Sequence, residues 1–362
     1  MVKFLSKISL SINILFALFL IFAYLSAYVS PVDFAFFAFF GLIYPFFLVI
    51  NLIFLAYWIF RKKKYFLVSL IAILIGWNFL FSFFQINLNK KNFSDDEQRI
   101  KVLSYNVRIF NLWNWAAEKN ITQKAYDFIR ENNYDIVCLQ EFYSSKKKGK
   151  NALDSILQKS SLINAHVSYT KKNGKTYHHG IAIFSVYPIL NKGNVQLNND
   201  ENFCIYTDLL INEDTIRVYN LHLASVHLGY NDYQVIDNID NDTIIDVKAY
   251  KNILGKLRKS YIKRAHQVNI ISAHINASKY PSIVCGDFND TPFSYAYNRI
   301  IKDMKDAFIE SGNGVASTYI HKFSTFRIDF ILHSKSLKSY NFRRLKINLS
   351  DHYPIECYFK TK

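Results

Sequence analysis

Three long apolar runs in the first 86 residues constrain this chain more than any other feature. They extend over residues 8–29, 34–60 and 65–86. Each is at least as long as the roughly 20 residues with which a helix crosses a bilayer. Helices in the core of a soluble domain keep one polar face, whereas these runs have none. The sequence therefore predicts three transmembrane helices that anchor the protein in a lipid bilayer.

The basic residues around the runs predict how the helices are oriented. Lys3 and Lys7 precede the first run and residues 61–64 (Arg-Lys-Lys-Lys) join the second to the third, whereas residues 30–33 carry no basic residue. Because basic loops stay in the cytoplasm, we expect a multi-pass protein of the inner (cytoplasmic) membrane with everything after residue 86 on the extracytoplasmic side. Alternatively, the first run is a cleaved signal peptide, although it is long for that role. Cleavage would not change the orientation.

The rest of the chain is strongly basic. The whole chain carries a formal charge of +16; the first 86 residues account for +5 and the remaining residues for the other +11. Such a surface suits nucleic acid, anionic lipid headgroups or a phosphorylated small molecule. A lysine-rich surface also keeps a domain soluble, so charge alone does not choose among these.

The four cysteines are predicted to be core residues. Cys138 and Cys285 lie inside apolar runs, and Cys204 and Cys357 have strand-like neighbours. Their spacing matches neither a disulfide framework nor a zinc site. A small thiol packs well in such surroundings.

The composition changes after the third run. Residues 87–99 are polar and without periodicity, which predicts a short tether to a domain over residues 100–362. Alternating and continuous apolar runs predict strands there, and apolar spacing of three to four residues predicts a helix. The helix is expected at residues 119–132 and the strands at 100–105, 135–140, 180–184, 203–211, 215–221, 282–285, 326–333 and 353–359. This pattern indicates an α/β domain of two or four layers.

One segment of this domain combines acidic and basic stretches. Residues 228–246 contain five aspartates, and residues 248–277 follow with helical spacing, one apolar stripe and many basic residues elsewhere. The helix is either an ordinary amphipathic surface helix or one whose basic face lies against anionic headgroups.

Polar side chains follow several of the predicted strands. The motifs are Ser-Tyr-Asn-Val at 104–107, Leu-Gln-Glu at 139–141, Asn-Leu-His-Leu at 220–223, Gly-Asp-Phe-Asn at 286–289, Arg-Ile-Asp-Phe at 327–330 and Ser-Asp-His at 350–352. Carboxylates, amides and imidazoles of this kind can neutralise a phosphate, activate water and stabilise a departing alkoxide. Hydrolysis of a phosphate ester needs these three tasks.

In this order the six motifs resemble those of the endonuclease/exonuclease/phosphatase superfamily, which has the DNase-I-like fold. The resemblance covers about residues 100–360 and not the first ninety. It implies a four-layered α/β sandwich of two mixed β-sheets flanked by helices, with the site at one end. Together with the three predicted helices, it implies a membrane-anchored bacterial member of the superfamily.

The resemblance implies a Mg²⁺ site, for which Mn²⁺ is the other candidate ion. Glu141 matches the family's principal metal ligand, and a carboxylate suits a hard cation. Asn106 matches the residue that helps to hold the metal, either by adding an amide oxygen as a ligand or by orienting the carboxylate of Glu141. Asp351 is expected to be the other metal carboxylate or a partner just behind it.

Five further residues are expected to be catalytic by the same resemblance. Asp287 matches the residue that orients or deprotonates the attacking water, and Asn289 the one that holds a phosphate oxygen. On an extended segment these two side chains point to the same side. His352 is expected to contact the phosphate while Asp329 holds its ring. His222 matches a histidine of DNase I and the neutral sphingomyelinases, which fits a general acid or a phosphate clamp.

The sequence as a whole predicts a membrane-anchored, Mg²⁺-dependent phosphoesterase that hydrolyses a phosphodiester or a phosphomonoester by one in-line attack of water. The apolar runs favour a lipid-linked or headgroup phosphate as the substrate. The basic domain suggests the alternative, an extracytoplasmic nuclease acting on DNA or RNA. A binding module without activity is a third possibility, which the complete motif set opposes. The expected partners are the phosphate ester and the lipid bilayer, and no feature indicates a protein partner.

Overall fold

The computed structural model divides the chain into two compact units. The N-terminal unit comprises residues 1–80, 224–268 and 293–299, and the sheet unit comprises residues 81–223, 269–292 and 300–362. The structure describes residues 2–87, 99–112, 120–145, 151–172, 175–197, 203–237, 246–320 and 326–360. Most of the predicted tether, residues 88–98, lies outside the described residues.

Six apolar helices form the first part of the chain. They are α1 (Val2–Leu25), α2 (Pro31–Phe34), α3 (Phe36–Leu42), α4 (Tyr44–Phe60), α5 (Phe66–Ile75) and α6 (Trp77–Phe83). Among the described residues, α1 is the one single helix that is long and apolar enough to cross a membrane. The pairs α3–α4 and α5–α6 meet that criterion only together, and they bend by 68° and 70°. The arrangement of three spans stays a prediction.

Both bends have a cause in the sequence. Pro45 lies in the first turn of α4. A proline has no N–H and its ring collides with the preceding turn, so α3 cannot continue into α4. Gly76 is the C-cap residue directly after α5. A side chain at this position would collide with the ring of Tyr24. The hydroxyl of Tyr24 donates a hydrogen bond to the carbonyl of Ala72 in α5. Each of the second and third apolar runs is therefore two helices.

A buried polar cluster connects α1, α4 and α5. Asn13 Nδ2 donates to Ser69 Oγ at 2.6 Å, and Ser69 Oγ donates to Asn51 Oδ1 at 3.1 Å. The indole Nε1 of Trp58 donates to Asn13 Oδ1 at 3.0 Å. All four side chains are fully buried. Hydrogen bonds of this kind hold helices together in apolar surroundings, because a polar group without a partner is costly there.

Later segments of the chain complete the N-terminal unit. They contain α9 (Tyr230–Asp237), most of α10 (Val247–Asn276) and most of α11 (Tyr295–Ile301). Two helices that come earlier in the chain, α7 (Ile121–Glu131) and α8 (Ala152–Lys159), belong to the sheet unit. The rings of Phe293 and Tyr44 lie 3.9 Å apart, and Tyr261 of α10 meets Phe39 edge-on at 5.6 Å. The long helix predicted at residues 248–277 is confirmed to within one residue at each end.

The sheet unit contains two six-stranded β-sheets. The first has the spatial order β11 (Ser339–Arg344), β12 (Ile355–Lys360), β1 (Arg99–Asn106), β2 (Ile136–Tyr143), β4 (Lys175–Ser185), β3 (Asn164–Lys172). The second has the order β5 (Ile189–Asn194), β6 (Phe203–Ile211), β7 (Asp214–His222), β8 (Ser282–Asp287), β10 (Asp329–Ser334), β9 (Met304–Asp306). Both sheets are mixed, because β1–β2 and β7–β8 are parallel pairs among antiparallel ones.

The side chains of β1 show how the layers form. Ile100 and Val102 belong to a buried cluster that also contains Val218 of β7 and Ile283 of β8, so the two sheets pack face to face. Leu103 and Tyr105 point to the other face, where α7 and α8 cover the sheet. The short helix α12 (Ala307–Ser311) contributes Phe308 to the cluster between the sheets. The expected sandwich of two mixed sheets with flanking helices is confirmed.

Whether a strand was predicted correctly depends on its position in the sheet. The eight predicted strands correspond to the eight interior strands, and the four that were missed, β3, β5, β9 and β11, are the four sheet edges. The predicted helix at 119–132 is α7, which begins at Ile121. All four cysteines are buried and unpaired, as expected.

Candidate active site

Three neighbouring strands of the second sheet bring His222, Asp287 and Asp329 into one row. His222 ends β7 and lies opposite Asp287, which ends the parallel strand β8. Asp329 begins the antiparallel strand β10 and is the register partner of Asp287 on its other side. Pairing in the sheet therefore brings together residues that are far apart in the sequence.

Gly286 makes the close pairing of β7 and β8 possible. Its φ is +154°, and a Cβ atom at this position would lie 2.1 Å from the carbonyl oxygen of Leu221. Any larger residue would push the two strands apart. Glycine is therefore needed directly before Asp287.

The first sheet contributes Asn106 and Glu141. Asn106 ends β1 beside Gln140 of the parallel strand β2. Glu141 has a φ of +49°, and the pairing of β2 with β4 shifts register between Leu139 and Phe142. This irregularity is a β-bulge, a device that turns a side chain out of the regular alternation.

Asn106 connects the carboxylates of the two sheets. Its Nδ2 donates to Glu141 Oε1 at 3.2 Å and to Asp287 Oδ2 at 2.9 Å, while its Oδ1 accepts the backbone N–H of Arg108 at 3.0 Å. Asn106 thus contacts both carboxylates through its Nδ2, and its part in metal binding stays a prediction. His222 Nε2 lies 3.8 Å from Glu141 Oε1 and 3.7 Å from Asp287 Oδ2, which completes the group.

His352 lies between two aspartates. Its Nδ1 is 2.9 Å from Asp329 Oδ2, and its Nε2 is 3.8 Å from Asp287 Oδ2. Thr318 supports this arrangement, since its Oγ1 accepts the backbone N–H of Asp329 at 3.1 Å. Burial by itself would lower the pKa of His352, but the carboxylates of Asp329, Asp287 and Asp351 outweigh it and raise the pKa to about 10. The imidazole is therefore protonated at neutral pH.

Asp287 is itself almost fully buried. Burial raises the pKa of its carboxyl group, and the nearby carboxylate of Asp329 adds to this effect against the opposing influence of His352 and His222. A carboxylate with a raised pKa is a stronger base than an exposed one.

The segment after Asp287 is not extended, so the geometric reason for expecting Asn289 to point to the same side as Asp287 does not apply. Asn289 has a φ of +51°. Its backbone N–H donates to Asp287 Oδ1 at 2.7 Å, and its Nδ2 donates to the carbonyl of Leu223 at 3.0 Å. A tight turn, in which Asn and Asp residues are common, therefore replaces the extended chain.

Asp351 is paired with Arg108, which the sequence analysis did not single out. Arg108 Nη1 lies 3.0 Å from Asp351 Oδ2, and Ser350 Oγ donates to Asp351 Oδ1 at 3.2 Å. Burial raises the pKa of the Asp351 carboxyl group, which the guanidinium of Arg108 opposes. Nothing in its local sequence marks Arg108 as a site residue, because its role depends on a contact with Asp351 far along the chain.

A partly open cavity of about 180 Å³ adjoins this ion pair. Part of its wall is the turn Arg108–Asn111, four residues with φ between +41° and +57°. This left-handed turn brings both Arg108 and Asn111 to the cavity. The cavity is lined by Arg108, Asn111, Ile121, Ile320, Asn348, Leu349, Ser350 and Asp351.

A buried pair of amide side chains, Gln140 and Asn220, lies beneath the site. The motifs contain both residues, but their pairing was not predicted. Gln140 Nε2 donates to Asn220 Oδ1 at 2.7 Å, and Asn220 Nδ2 donates to the carbonyls of Leu139 and Ala182. Gln140 precedes Glu141 directly, and Asn220 lies two residues before His222. These bonds join the two sheets and fix the strands on which the site residues lie.

The donor set fits a hard divalent cation. The carboxylate oxygens of Glu141, Asp287, Asp329 and Asp351 are of the type that such a cation prefers. Oxygen atoms of Asp287 and Asp329 lie within 4.8 Å of each other and of a ring nitrogen of His352, which is protonated and therefore contacts anions and not a cation. His222 Nε2 and Asp329 Oδ1 are buried without a hydrogen-bond partner among the described residues. Buried polar atoms are rarely left so, and a cation or its bound water would satisfy them.

The chain matches the models of two protein families. A family model described as "Endonuclease/Exonuclease/phosphatase family" matches residues 103–352. A second model, described as "Domain of unknown function (DUF8431)", matches residues 6–83. No curated protein matches the chain.

Several solved structures share the fold at low sequence identity. The human Nocturnin catalytic domain with bound sulfate is 17% identical, with a TM-score of 0.53, over 75% of this chain and 97% of that one. A humanized TDP2 of D. rerio is 14% identical, with a TM-score of 0.52, over 73% and 99%. A mannosyl-6-phosphatase of Bacteroides thetaiotaomicron is 16% identical, with a TM-score of 0.50, over 72% and 100%. These similarities concern the fold.

Because the family match covers more than half of the residues, the chain belongs to the endonuclease/exonuclease/phosphatase family. The two mixed sheets give it the DNase-I-like fold. It is a metal-dependent hydrolase that acts on phosphate ester bonds.

Proposed function

We propose that this protein is a membrane-anchored, Mg²⁺-dependent phosphoesterase whose substrate is a lipid or a lipid-linked phosphate ester. The observation that carries the proposal is the distribution of exposed apolar side chains. Of the 33 large hydrophobic side chains exposed among the described residues, 28 lie in the first 86 residues. An apolar surface of this size is unstable in water and marks contact with lipid or another partner.

The short chain connections between the N-terminal unit and the motifs support a lipid substrate. Ala224, in the N-terminal unit, follows His222 by two residues, and Phe293 follows Asn289 by four. Four residues of extended chain span at most about 14 Å. Because the chain joins this unit to the motifs through such short segments, we favour a phosphate ester that is itself held at the membrane.

The site residues are proposed to divide the reaction as follows. Glu141 and Asp351 hold the cation, and Asn106 orients the carboxylate of Glu141. A cation bound there would neutralise phosphate oxygens and lower the pKa of water. Asp287 takes a proton from the attacking water, for which its raised pKa is suited.

Two histidines are proposed to act on the phosphate. His352, held protonated by Asp329, donates a hydrogen bond to a phosphate oxygen as negative charge develops. His222 donates a proton to the departing oxygen or clamps the phosphate. Asn289 binds a phosphate oxygen, which requires its amide to turn from the carbonyl of Leu223.

The proposal is tested with the full-length protein reconstituted in lipid nanodiscs. Release of phosphate or headgroup from sphingomyelin, phosphoinositides and lipid-linked phosphates is compared with cleavage of plasmid DNA and of a chromogenic diester, with Mg²⁺ or with chelator. Glu141→Gln, which should lose most of the activity because it binds the metal more weakly, is the control. Mg²⁺-dependent turnover of a lipid is expected, and turnover of the chromogenic diester alone would contradict a lipid substrate.

A nuclease is the second candidate, and the charge of +11 on the residues after 86 favours it. Lysine and arginine on a protein surface bind the phosphate backbone of nucleic acid without regard to sequence. Efficient, salt-sensitive cleavage of the plasmid, with no lipid turned over in the same assay, would establish this function instead.

The membrane topology has its own test. Alkaline phosphatase fused after Gln98 should be active if three crossings bring this point outside the cytoplasm. An inactive fusion, with an active cytoplasmic reporter at the same point, would reject the proposed orientation.

A further inference from the structure

Helix α10 has an unusual balance of charge. Its 30 residues, Val247–Asn276, contain seven Lys or Arg and no Asp or Glu. Helices on the surface of a soluble domain usually mix both signs, which supports solubility and forms pairs within the helix. A face with cations alone attracts an anionic partner.

Two of the seven basic side chains have bonding partners within the N-terminal unit. Lys256 pairs with Asp232 of α9. Arg264 is buried, and its Nη1 donates to the carbonyl of Ala224 at 2.8 Å. The other five are exposed: Lys248, Lys251, Arg258, Lys259 and Lys263.

Large apolar side chains are exposed beside these cations. Val247 and Leu254 are 57% and 49% exposed, and with Lys251 and Arg258 they lie at helical spacing along one stripe. Only five large hydrophobic side chains are exposed in the part of the chain that the structure describes after residue 86, and these are two of them. Apolar residues alternating with basic ones are typical of helices that lie in the headgroup region of a bilayer.

The buried side chains of α10 attach it to the apolar N-terminal helices. Tyr261 is buried against Phe39 of α3, and Ser260 Oγ donates to the carbonyl of Ser225 at 3.0 Å. Most of α10 and residues 1–80 form one compact unit. If those helices lie in a bilayer, α10 is held to the same membrane.

We propose that the exposed face of α10 lies against anionic phospholipid headgroups of the bilayer that holds the N-terminal helices. This cationic face, which covers about half of the helix circumference, consists of the exposed residues Lys248, Lys251, Leu254, Arg258, Lys259 and Lys263. The proposal rests on the membrane anchoring in the proposed function and adds a requirement for anionic lipid. Nucleic acid fits less well, because phosphate contacts gain nothing from the exposed Leu254.

The magnitude follows from the number of cations. Each basic residue near an anionic membrane strengthens the association about fivefold. Replacing three of them by glutamine should therefore weaken docking on the order of 100-fold. Salt should release the cationic face of the wild-type helix from the membrane surface, because exposed charges are screened within about 10 Å at 0.1 M salt.

The test follows a fluorophore on the full-length protein in nanodiscs. Because the native cysteines are buried, Leu254→Cys can be labelled selectively with an environment-sensitive dye. In discs containing phosphatidylglycerol, emission should shift to the blue, and sodium chloride should reverse the shift. In phosphatidylcholine discs there should be no shift, with or without added inorganic phosphate.

A matched pair of triple variants isolates the cationic face. Lys251→Gln, Arg258→Gln and Lys259→Gln together should abolish the shift and leave hydrolysis of a soluble diester unchanged. The control removes the same charge from exposed positions of the sheet unit. It combines Lys192→Gln, Lys302→Gln and Lys335→Gln and should retain the shift.

Three results would overturn the proposal. They are equal emission in both kinds of disc, an unchanged shift in the first triple variant, and a shift produced by an oligonucleotide in phosphatidylcholine discs, which would assign the face to nucleic acid. Failure of the wild-type chain to enter discs at all would reject the membrane anchor itself. A chain that enters discs but does not respond to phosphatidylglycerol rejects only the docking of α10.

Discussion

Replacing Asp329 with asparagine should separate the charge of this residue from its shape. Asp329 Oδ2 lies 2.9 Å from His352 Nδ1, and both side chains are almost fully buried. An asparagine can still accept a hydrogen bond from Nδ1 but carries no charge. A hydrogen bond to a charged group contributes at most about 3 kcal/mol. If the phosphate contact of His352 depends on that charge, 3 kcal/mol corresponds to a loss of about 10²-fold in kcat.

The pH dependence should show that the loss acts through His352. In the wild type the carboxylates hold the pKa of His352 at about 10 against the effect of burial, so the ring stays protonated from pH 6 to 9. In Asp329→Asn the largest of these carboxylate effects is gone, and burial draws the pKa down toward or below its usual value of about 6.5. The activity of the variant should therefore fall as pH rises over this range, because its His352 loses a proton. In the wild type His352 stays protonated, so deprotonation of this ring does not lower the activity.

The assay is the initial rate of Mg²⁺-dependent hydrolysis of a chromogenic diester between pH 6 and 9. Asp303→Asn, which removes an exposed carboxylate of the same unit, is the control and should behave as the wild type. A constant ratio of variant to wild-type rate across the range would refute the reasoning, because a merely structural defect lowers the rate equally at every pH.

Three other predictions follow from the same contacts. Glu141→Gln should raise the Mg²⁺ concentration needed for half-maximal activity in a metal titration, since glutamine lacks the charge that holds a hard cation; an unchanged value would exclude Glu141 as a ligand. Asp287→Asn and His352→Ala should each lower kcat by at least about 10²-fold, and the double variant should be little worse, because the two act on one step; losses that multiply would contradict this. Burial would raise the pKa of Glu310, but His333 at 3.1 Å and the hydrogen bonds from Ser339 hold it well below its usual range. A depressed pKa stabilises the fold above the unfolded value of about 4.3 and loses that effect as pH falls, so the Tm difference between wild type and Glu310→Gln should be constant from pH 5 to 7 and shrink below pH 4.

The interior strands were predictable because burial on both faces leaves a strong local pattern. Strand β6 was predicted with the observed bounds, Phe203–Ile211. The four missed strands are sheet edges, which need not carry that pattern. In β5 (Ile189–Asn194) no residue is fully buried, and the sequence Ile-Leu-Asn-Lys-Gly-Asn contains only two apolar side chains. Polar and charged residues are usual on edges, because they prevent pairing with another chain.

Most of the candidate site was predictable for a related reason. Asn106, His222, Asp287 and Asp329 all lie at the first or last position of an interior strand, so a polar residue beside an apolar run marks each of them. Arg108 and Thr318 have no such mark. Their importance comes from contacts with Asp351 and with the backbone of Asp329, and those contacts exist only once the chain is folded.

The sequence around Glu141 contains a signal for an irregular strand that was not used in the prediction. Residues on one face of a regular strand are separated by an even number of positions. Leu139 and Phe142 are three apart, yet both are buried on the face of the first sheet that α7 and α8 cover. One extra residue must therefore lie between them, and the bulge at Glu141 supplies it. The odd spacing of two apolar residues beside an acidic one thus predicts both an irregular strand and a carboxylate turned out of the regular alternation.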